Sequence, residues 1–392
     1  MVIKDWQKAR TLHIRVLPTT SPRFEVYDVM MRTFADLWKL YPEHAVPGRT
    51  WHWWWWLFFF QNSEQPEHPR QLMILWGTRN CRKVRINDFQ WNPETIPEVI
   101  DGRARFESLV ASWYSDGRKM HDPFIIDNGP TETKWTDDYG SILMENARGR
   151  YSFDGRDADF RLIAENPEVG LDLHMRPWTD YMRELVLTGR NFGGRQMGYS
   201  ILKYRGLLAS GKMRHNGREF SVNGRAYFQK VRISSITPCW YWATAQWDSG
   251  AYMQYFLPHF GIPMLRQQYR HESMMDWGEK MISRTLDFFD PFENKEYVMK
   301  DVRIKKRYEN DLPIFTVLAQ SGDSELMAEM ATYGRCCWNI TQPFIWPFWL
   351  GMFYNEYPAR MLNFKFRNGS RKLDMNDLGR CFCNCEHSWG TV

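Results

Sequence analysis

From Arg49 to Phe60 the chain reads R-T-W-H-W-W-W-W-L-F-F-F, five tryptophans and three phenylalanines in twelve residues. Flat aromatic side chains suit the pleated surface of a strand, and the run is poor in helix formers. Read with a period of two, Trp51, Trp53, Trp55, Leu57 and Phe59 share one face, and His52, Trp54, Trp56, Phe58 and Phe60 share the other. The pattern predicts a strand covered on both sides. Each aromatic buries roughly 150–250 Å², more contact area than a simple sandwich strand needs. Either both faces are plain core, or one of them lines a wide apolar cavity.

The pattern returns half a chain later. Pro238-Cys239-Trp240-Tyr241-Trp242-Ala243-Thr244-Ala245-Gln246-Trp247, then Asp248-Ser249-Gly250, then Ala251 to Phe256, repeats the order of the first copy, in which a polar connection from Gln61 to Arg70 precedes Gln71 to Trp76. Two aromatic-first hairpins at this separation read as a duplicated β unit. Between and after them lie short strand-like runs punctuated by Asp116-Gly117, Asp154-Gly155 and Asn216-Gly217, the signature of a barrel or sandwich. No long amphipathic helices alternate with them, which argues against a parallel α/β sheet. The expected fold class is all-β: two consecutive antiparallel barrel or sandwich domains with a few short helices. The expected divisions are an arm and amphipathic helix over 1–44, a first β domain over 45–222 and a second over 223–392.

Two helices are expected. Met30, Phe34, Leu37, Trp38 and Tyr41 form a stripe at helical spacing that Pro42 stops, and it either packs on a sheet or makes peripheral membrane contact through residues 28–41. Ser324 to Tyr333 reads as a short helix capped by Ser324 and ended by Gly334. The proline-broken run Pro343 to Leu350 is expected to be a loop over an apolar site. Arg380 to Thr391 alternates again and closes the second barrel.

A chain of 392 residues exceeds the usual size of one core, which agrees with two domains. A net charge of +5 from 51 basic and 46 acidic residues, with only Arg303 to Arg307 as a dense basic run, does not favour nucleic acid. Seven cysteines, an odd number, do not make a disulfide framework, and Met1 to Trp6 lacks the apolar region of a signal peptide. No segment approaches a transmembrane helix. These observations lead to the expectation of a cytoplasmic protein.

Trp53 to Phe60, the run Asn216 to Tyr227 and Trp240-Tyr241-Trp242 with Asp248-Ser249-Gly250 together resemble the carotenoid 1,2-hydratase and AttH-like superfamily, which also includes lipocalin-like Diels–Alderases. The resemblance implies two consecutive lipocalin-like domains, each opening on a Trp-rich strand. It also implies polar pocket residues at Gln229 and Lys230, one of the two facing the cavity, and Tyr227 shares a face with Gln229 if the run is a strand. The sequence departs from the hydratases after Tyr227, where Phe228 to Arg232 stand in place of an Asp/His-rich stretch. An acidic proton donor is therefore missing at that spot.

The remaining chemistry is sparse. On a strand Cys381, Cys383, Cys385, His387 and Trp389 point one way, but residues at i,i+2 lie about 6.6–7 Å apart and four in line do not surround one ion. The run therefore reads as buried core residues and no metal is expected, the alternatives being a metal site and a polar contribution from Glu386 or His387 to a pocket. Cys336 and Cys337 read as core, and Gly193-Gly194, with no Gly-Lys-Ser/Thr after it, as a turn. Candidate catalytic groups are thus Tyr227, Gln229, Lys230, Asp276, Glu145 and His387. The expected cavity lining is Trp54, Trp56, Phe58, Trp240, Trp242, Trp247 and Trp346. The reading is an enzyme of the hydratase, isomerase or cyclase kind, without organic cofactor, acting on a long apolar isoprenoid or polyketide-like molecule. The rivals are a non-catalytic carrier of such a ligand and a structural protein whose tryptophans fill the space.

Overall fold

The computed structural model describes residues 14–16, 31, 33–42, 45–81, 83–93, 97–191, 197–235, 237–260, 280–345 and 348–392. Its first sheet contains β1 (Thr50–Phe60), β2 (Arg70–Arg79), β3 (Arg103–Ser115), β4 (Met120–Trp135), β5 (Tyr139–Glu145), β6 (Arg150–Arg156), β7 (Asp159–Glu165), β8 (Val169–Pro177), β9 (Gly198–His215) and β10 (Arg218–Ser234). Each pairs with the next, and β10 returns to pair with β1, so the ten strands close into an up-and-down antiparallel barrel. Closure leaves no free edge around the ring. A short strand, Leu185–Asn191, extends the edge of β9 and carries Ile14–Val16 as a parallel partner.

The second sheet contains β11 (Cys239–Trp247), β12 (Tyr252–Phe260), β13 (Thr285–Asp290), β14 (Lys295–Met299), β15 (Asp301–Glu309), β16 (Leu312–Ser321), β17 (Ser324–Thr332), β18 (Cys336–Ile345), β19 (Phe348–Asn368) and β20 (Cys381–Thr391). Its main path runs β14-β13-β12-β11-β20-β19-β17-β16-β15. It curls around a core containing Trp247, Phe288, Phe315 and Phe364. From the first half, Val84–Ile86 pairs with β18, so the two sheets are laced together. The fold is all-β and lipocalin-like. The sheets part between Ser234 and Cys239, whereas the division expected after Val222 falls inside β10.

Strand β1 is buried on both sides, as its sequence demands. Trp54, Trp56, Phe58 and Phe60 fill the barrel, where Trp56 meets Phe153 at 4.6 Å and Phe228 at 5.2 Å between ring centroids. Trp51, Trp55, Leu57 and Phe59 point out of the barrel and pack on the second sheet with Trp242, Trp338 and Tyr354. The approach of β10 to β1 is close enough that a Cβ on Gly224 would lie 1.8 Å from the Phe59 carbonyl oxygen. Only glycine fits there.

Four expectations change. Within the stripe of residues 28–41, the described residues make a 3₁₀ turn, Phe34–Leu37, rather than a long helix. Phe34, Leu37 and Trp38 plug the barrel core, and Trp38 lies where a Cβ on Gly140 would stand. Ser324 to Thr332 is strand β17: Leu326, Ala328 and Met330 turn inward with period two, and pairing with β16 and β19 outweighs the helical spacing of its methionines. Gly322, at a φ of +57°, makes the tight turn into it. The described residues of the run from Pro343 belong to strands β18 and β19, which pair as far as Ile345 and Phe348, rather than to a loop, and Trp349 receives the cations of Lys83 and Arg85. Asp154-Gly155 also lies inside a strand, with the turn at Asp157 and Ala158, both at positive φ. No helix among the described residues is long and apolar enough to cross a membrane.

The two faces of β1 differ in what they support. Truncation of a fully buried aromatic costs about 3–5 kcal/mol. In urea unfolding, Trp56→Ala is expected to lose stability in that range, and Trp53→Ala, half-buried on the opposite face, less than about half as much. Equal losses would contradict the assignment of the faces.

Candidate active site

Where the outer face of β1 meets the second sheet, the packing leaves a cavity of ≈ 230 Å³. Trp51, Trp53 and Trp55 of β1, Trp240 and Trp242 of β11, Phe256 of β12 and Tyr354 of β19 supply most of its aromatic wall. Strand alternation decides this lining. The first-strand residues expected there, Trp54, Trp56 and Phe58, face the barrel core instead, and their odd-numbered neighbours meet the cavity. Trp240 and Trp242 do line it, Trp247 lies in the core of the second sheet, and Trp346 falls outside the described residues.

Two polar groups interrupt the apolar wall. The first is a carboxyl pair. Glu386 of β20 stands directly across from Glu356 of β19, and both are buried. The Tyr354 hydroxyl bridges the two, 3.0 Å from Glu386 Oε1 and closer to Glu356 Oε1; its one proton goes to one carboxyl, and its oxygen can accept from the other when that carboxyl is protonated. Trp240 Nε1 donates to Glu386 Oε2 at 2.8 Å, and Trp55 Nε1 donates to Glu356 Oε1 at 3.3 Å. Two ionised carboxylates cannot share such a site. Burial raises Glu386 to about 7 against donated hydrogen bonds from Trp240 and Tyr354, and burial followed by the Glu386 charge raises Glu356 well above the ordinary range. Both carboxyls are thus raised toward or above neutrality, and Glu386 is the member of the pair on the cavity wall.

The second group is a row of donors and acceptors. Lys203 of β9 donates to Gln254 Oε1, Gln254 Nε2 donates to the Tyr227 hydroxyl at 3.0 Å, and that hydroxyl donates to Gln229 Oε1 at 2.9 Å. All four residues line the cavity. Burial lowers Lys203, with the charge of Asp287 opposing the shift. The ring of Trp55 touches Tyr227 and Trp242, at 5.7 and 5.2 Å between centroids, so this row and the carboxyl pair meet at the same tryptophan.

The other candidates are elsewhere. Lys230 points into the barrel, its Nζ 3.1 Å from the Trp54 ring centre, and burial lowers it well below an ordinary lysine. His387 faces the interior of the second sheet, stacked on Tyr241 at 3.8 Å. Glu145 is exposed at the end of β5, and Asp276 lies outside the described residues. Cys383 and Cys385 are packed in the second core, and among the described residues no cluster of His, Cys, Asp and Glu could hold a metal ion. Glu356, Tyr354, Lys203 and Gln254 were not among the sequence candidates. Their signal is faint: a carboxylate at one position of an otherwise aromatic strand, as in Tyr354-Asn355-Glu356-Tyr357.

Two solved structures match over most of this chain's length. One is a protein described as an AttH from Nitrosomonas europaea, 12% identical, covering 96% of this chain and 100% of its own, with a TM-score of 0.44. The other is kievitone hydratase from Nectria haematococca, 8% identical, covering 89% of this chain and 93% of its own, with a TM-score of 0.43. The likeness is one of fold and assigns no residue a role. No family model matches the chain, and no curated protein matches its sequence.

The raised carboxyl predicts a sign for stability. Between the ordinary glutamate value of 4.5 and about 7 the folded protein holds a proton on Glu386 that the unfolded chain releases. Stability should therefore fall as pH rises through that window, by about 1.4 kcal/mol per unit for one such group. Urea titrations at several pH values should show this slope in the wild type and a shallower one in Glu386→Gln.

Proposed function

We propose that the protein is a hydratase-type enzyme that adds water to, or removes it from, a carbon–carbon double bond of an apolar substrate held between the two sheets. The observation that carries this reading is a buried carboxyl pair at the wall of an aromatic cavity, in which Glu386, raised to about 7 by burial, is linked to Glu356 through Tyr354. Hydration of an alkene needs an acid to protonate carbon, a wall that tolerates the cation, and a base for the water. Glu386 would transfer its proton to one alkene carbon. The electron-rich faces of Trp55, Trp240 and Trp242 suit the carbocation left on the other, at roughly 0.5–2 kcal/mol per well-placed ring. Water adds to that carbon, and the proton it sheds returns to the carboxylate of Glu386. Atoms and charge balance over the cycle, and the same pair runs the reverse elimination. Isoprenoid and polyketide chains are the substrate classes that suit the lining.

Organic extraction and native mass spectrometry of the purified protein test this. Glu386→Gln keeps the shape of the side chain and removes the transferable proton. It is expected to co-purify with a molecule one water different in mass from that on the wild type, and to lose about 10²–10⁴-fold in turnover once that molecule is supplied. Wild-type hydration should fall as pH rises through about 7, where the acid is lost. An identical bound molecule in both proteins, with no turnover in either, would show a carrier and remove the acid chemistry.

A further inference from the structure

The row from Lys203 to Gln229 has a direction, and the lysine sets it. An ammonium only donates, so the amide oxygen of Gln254 must face Lys203. Its amide nitrogen then faces Tyr227, whose oxygen accepts that bond at 3.0 Å. With its oxygen so occupied, the tyrosine proton goes to Gln229 Oε1 at 2.9 Å. Nothing is left for the cavity end of Gln229 but its NH₂ group. Among the described residues no partner takes those protons, and Gln229 is half-buried on the cavity wall.

Each member supports the polarity of the next. Tyr227 and Lys203 are buried, and burial raises the tyrosine far above its ordinary value, so it stays a neutral donor at any working pH. Strand pairing fixes the geometry: Lys203 of β9 is in register with Gln229 of β10, which is in register with Trp55 of β1. The row is thus rigid and ends in a donor that a positive charge polarises. Such an end fits an oxygen that only accepts, and it repels a group that must donate in its place.

We infer that the cavity binds an oxygenated apolar molecule, placing a carbonyl or carboxylate oxygen on the amide NH₂ of Gln229. This deepens the reading of the cavity as a substrate site and rests on it. The Glu386 chemistry is not required. A substrate of this class carries its acceptor oxygen at the Gln229 end and its alkene toward Glu386, so Gln229 sets the direction in which the molecule lies.

Matched probes test the inference by calorimetry: 2-nonanone, which carries an acceptor oxygen, and 1-nonene, which does not. Gln229→Leu conserves the shape and removes the donor. It is expected to weaken 2-nonanone about tenfold and leave 1-nonene within about twofold, as for one buried hydrogen bond. Gln229→Glu, which keeps the acceptor that Tyr227 needs, should likewise weaken the ketone, and it serves if the leucine variant fails to fold. Equal changes for both probes, no change for either, or no binding of either by the wild type would overturn the inference. Glu386→Gln is expected to keep the ketone preference, so a failure of the acid chemistry is distinguishable from a failure at Gln229.

Discussion

Strand β1 has no face to give to water, and the two sheets are arranged to cover it. Its even residues from Trp54 to Phe60 need a closed interior, and the ten-stranded barrel wraps them. Its odd residues need a second apolar surface, and β11, β19 and β20 of the other sheet provide one. A barrel alone would leave Trp51, Trp55, Leu57 and Phe59 exposed as a large apolar patch, which soluble folds avoid. The second sheet is therefore part of the first one's solvation, and the lacing of Val84–Ile86 to β18 holds it in place.

The cavity follows from the same constraint. Two curved sheets with bulky aromatic faces do not mesh along their whole length, and rings as large as Trp53, Trp240 and Trp242 leave space where they diverge. Into this apolar seam the chain sends a few polar groups, each with partners that make burial tolerable. Glu356 and Glu386 share Tyr354 and divide two indole donors between them, and Lys203 is relayed through Gln254 and Tyr227. Unpartnered, such groups would cost several kcal/mol each. Partnered, they give the seam an acid on one side and a donor on the other, both beside Trp55.

Much of the fold was legible along the chain because its signals are local. The aromatic runs at Thr50–Phe60 and Cys239–Trp247, the Asn216-Gly217 turn and the alternation over Cys381–Thr391 each specify a strand or hairpin without reference to anything distant. The methionine spacing over Ser324–Thr332 was ambiguous between periods, and only the neighbours β16 and β17's other partner β19 resolved it. The site was less legible. Tyr227 and Gln229 on one face could be read from alternation, which leaves the cavity only one of Gln229 and Lys230; the structure turns Gln229 to it and Lys230 into the barrel.

The sequence by itself determined that this is an all-β chain with two aromatic hairpins, and that β1 is covered on both sides, because periodicity and turn chemistry act over a few residues. It could not determine which face of β1 looks into the barrel, since both faces are equally apolar and period two is symmetric between them. Only the closing of β10 onto β1 broke that symmetry, sending Trp54 and Trp56 inward and Trp53 and Trp55 to the cavity. The pairing of Glu356 with Glu386 was likewise decided by register between distant strands; burial in that seam raises both carboxyls, and the Glu386 charge adds to the rise at Glu356.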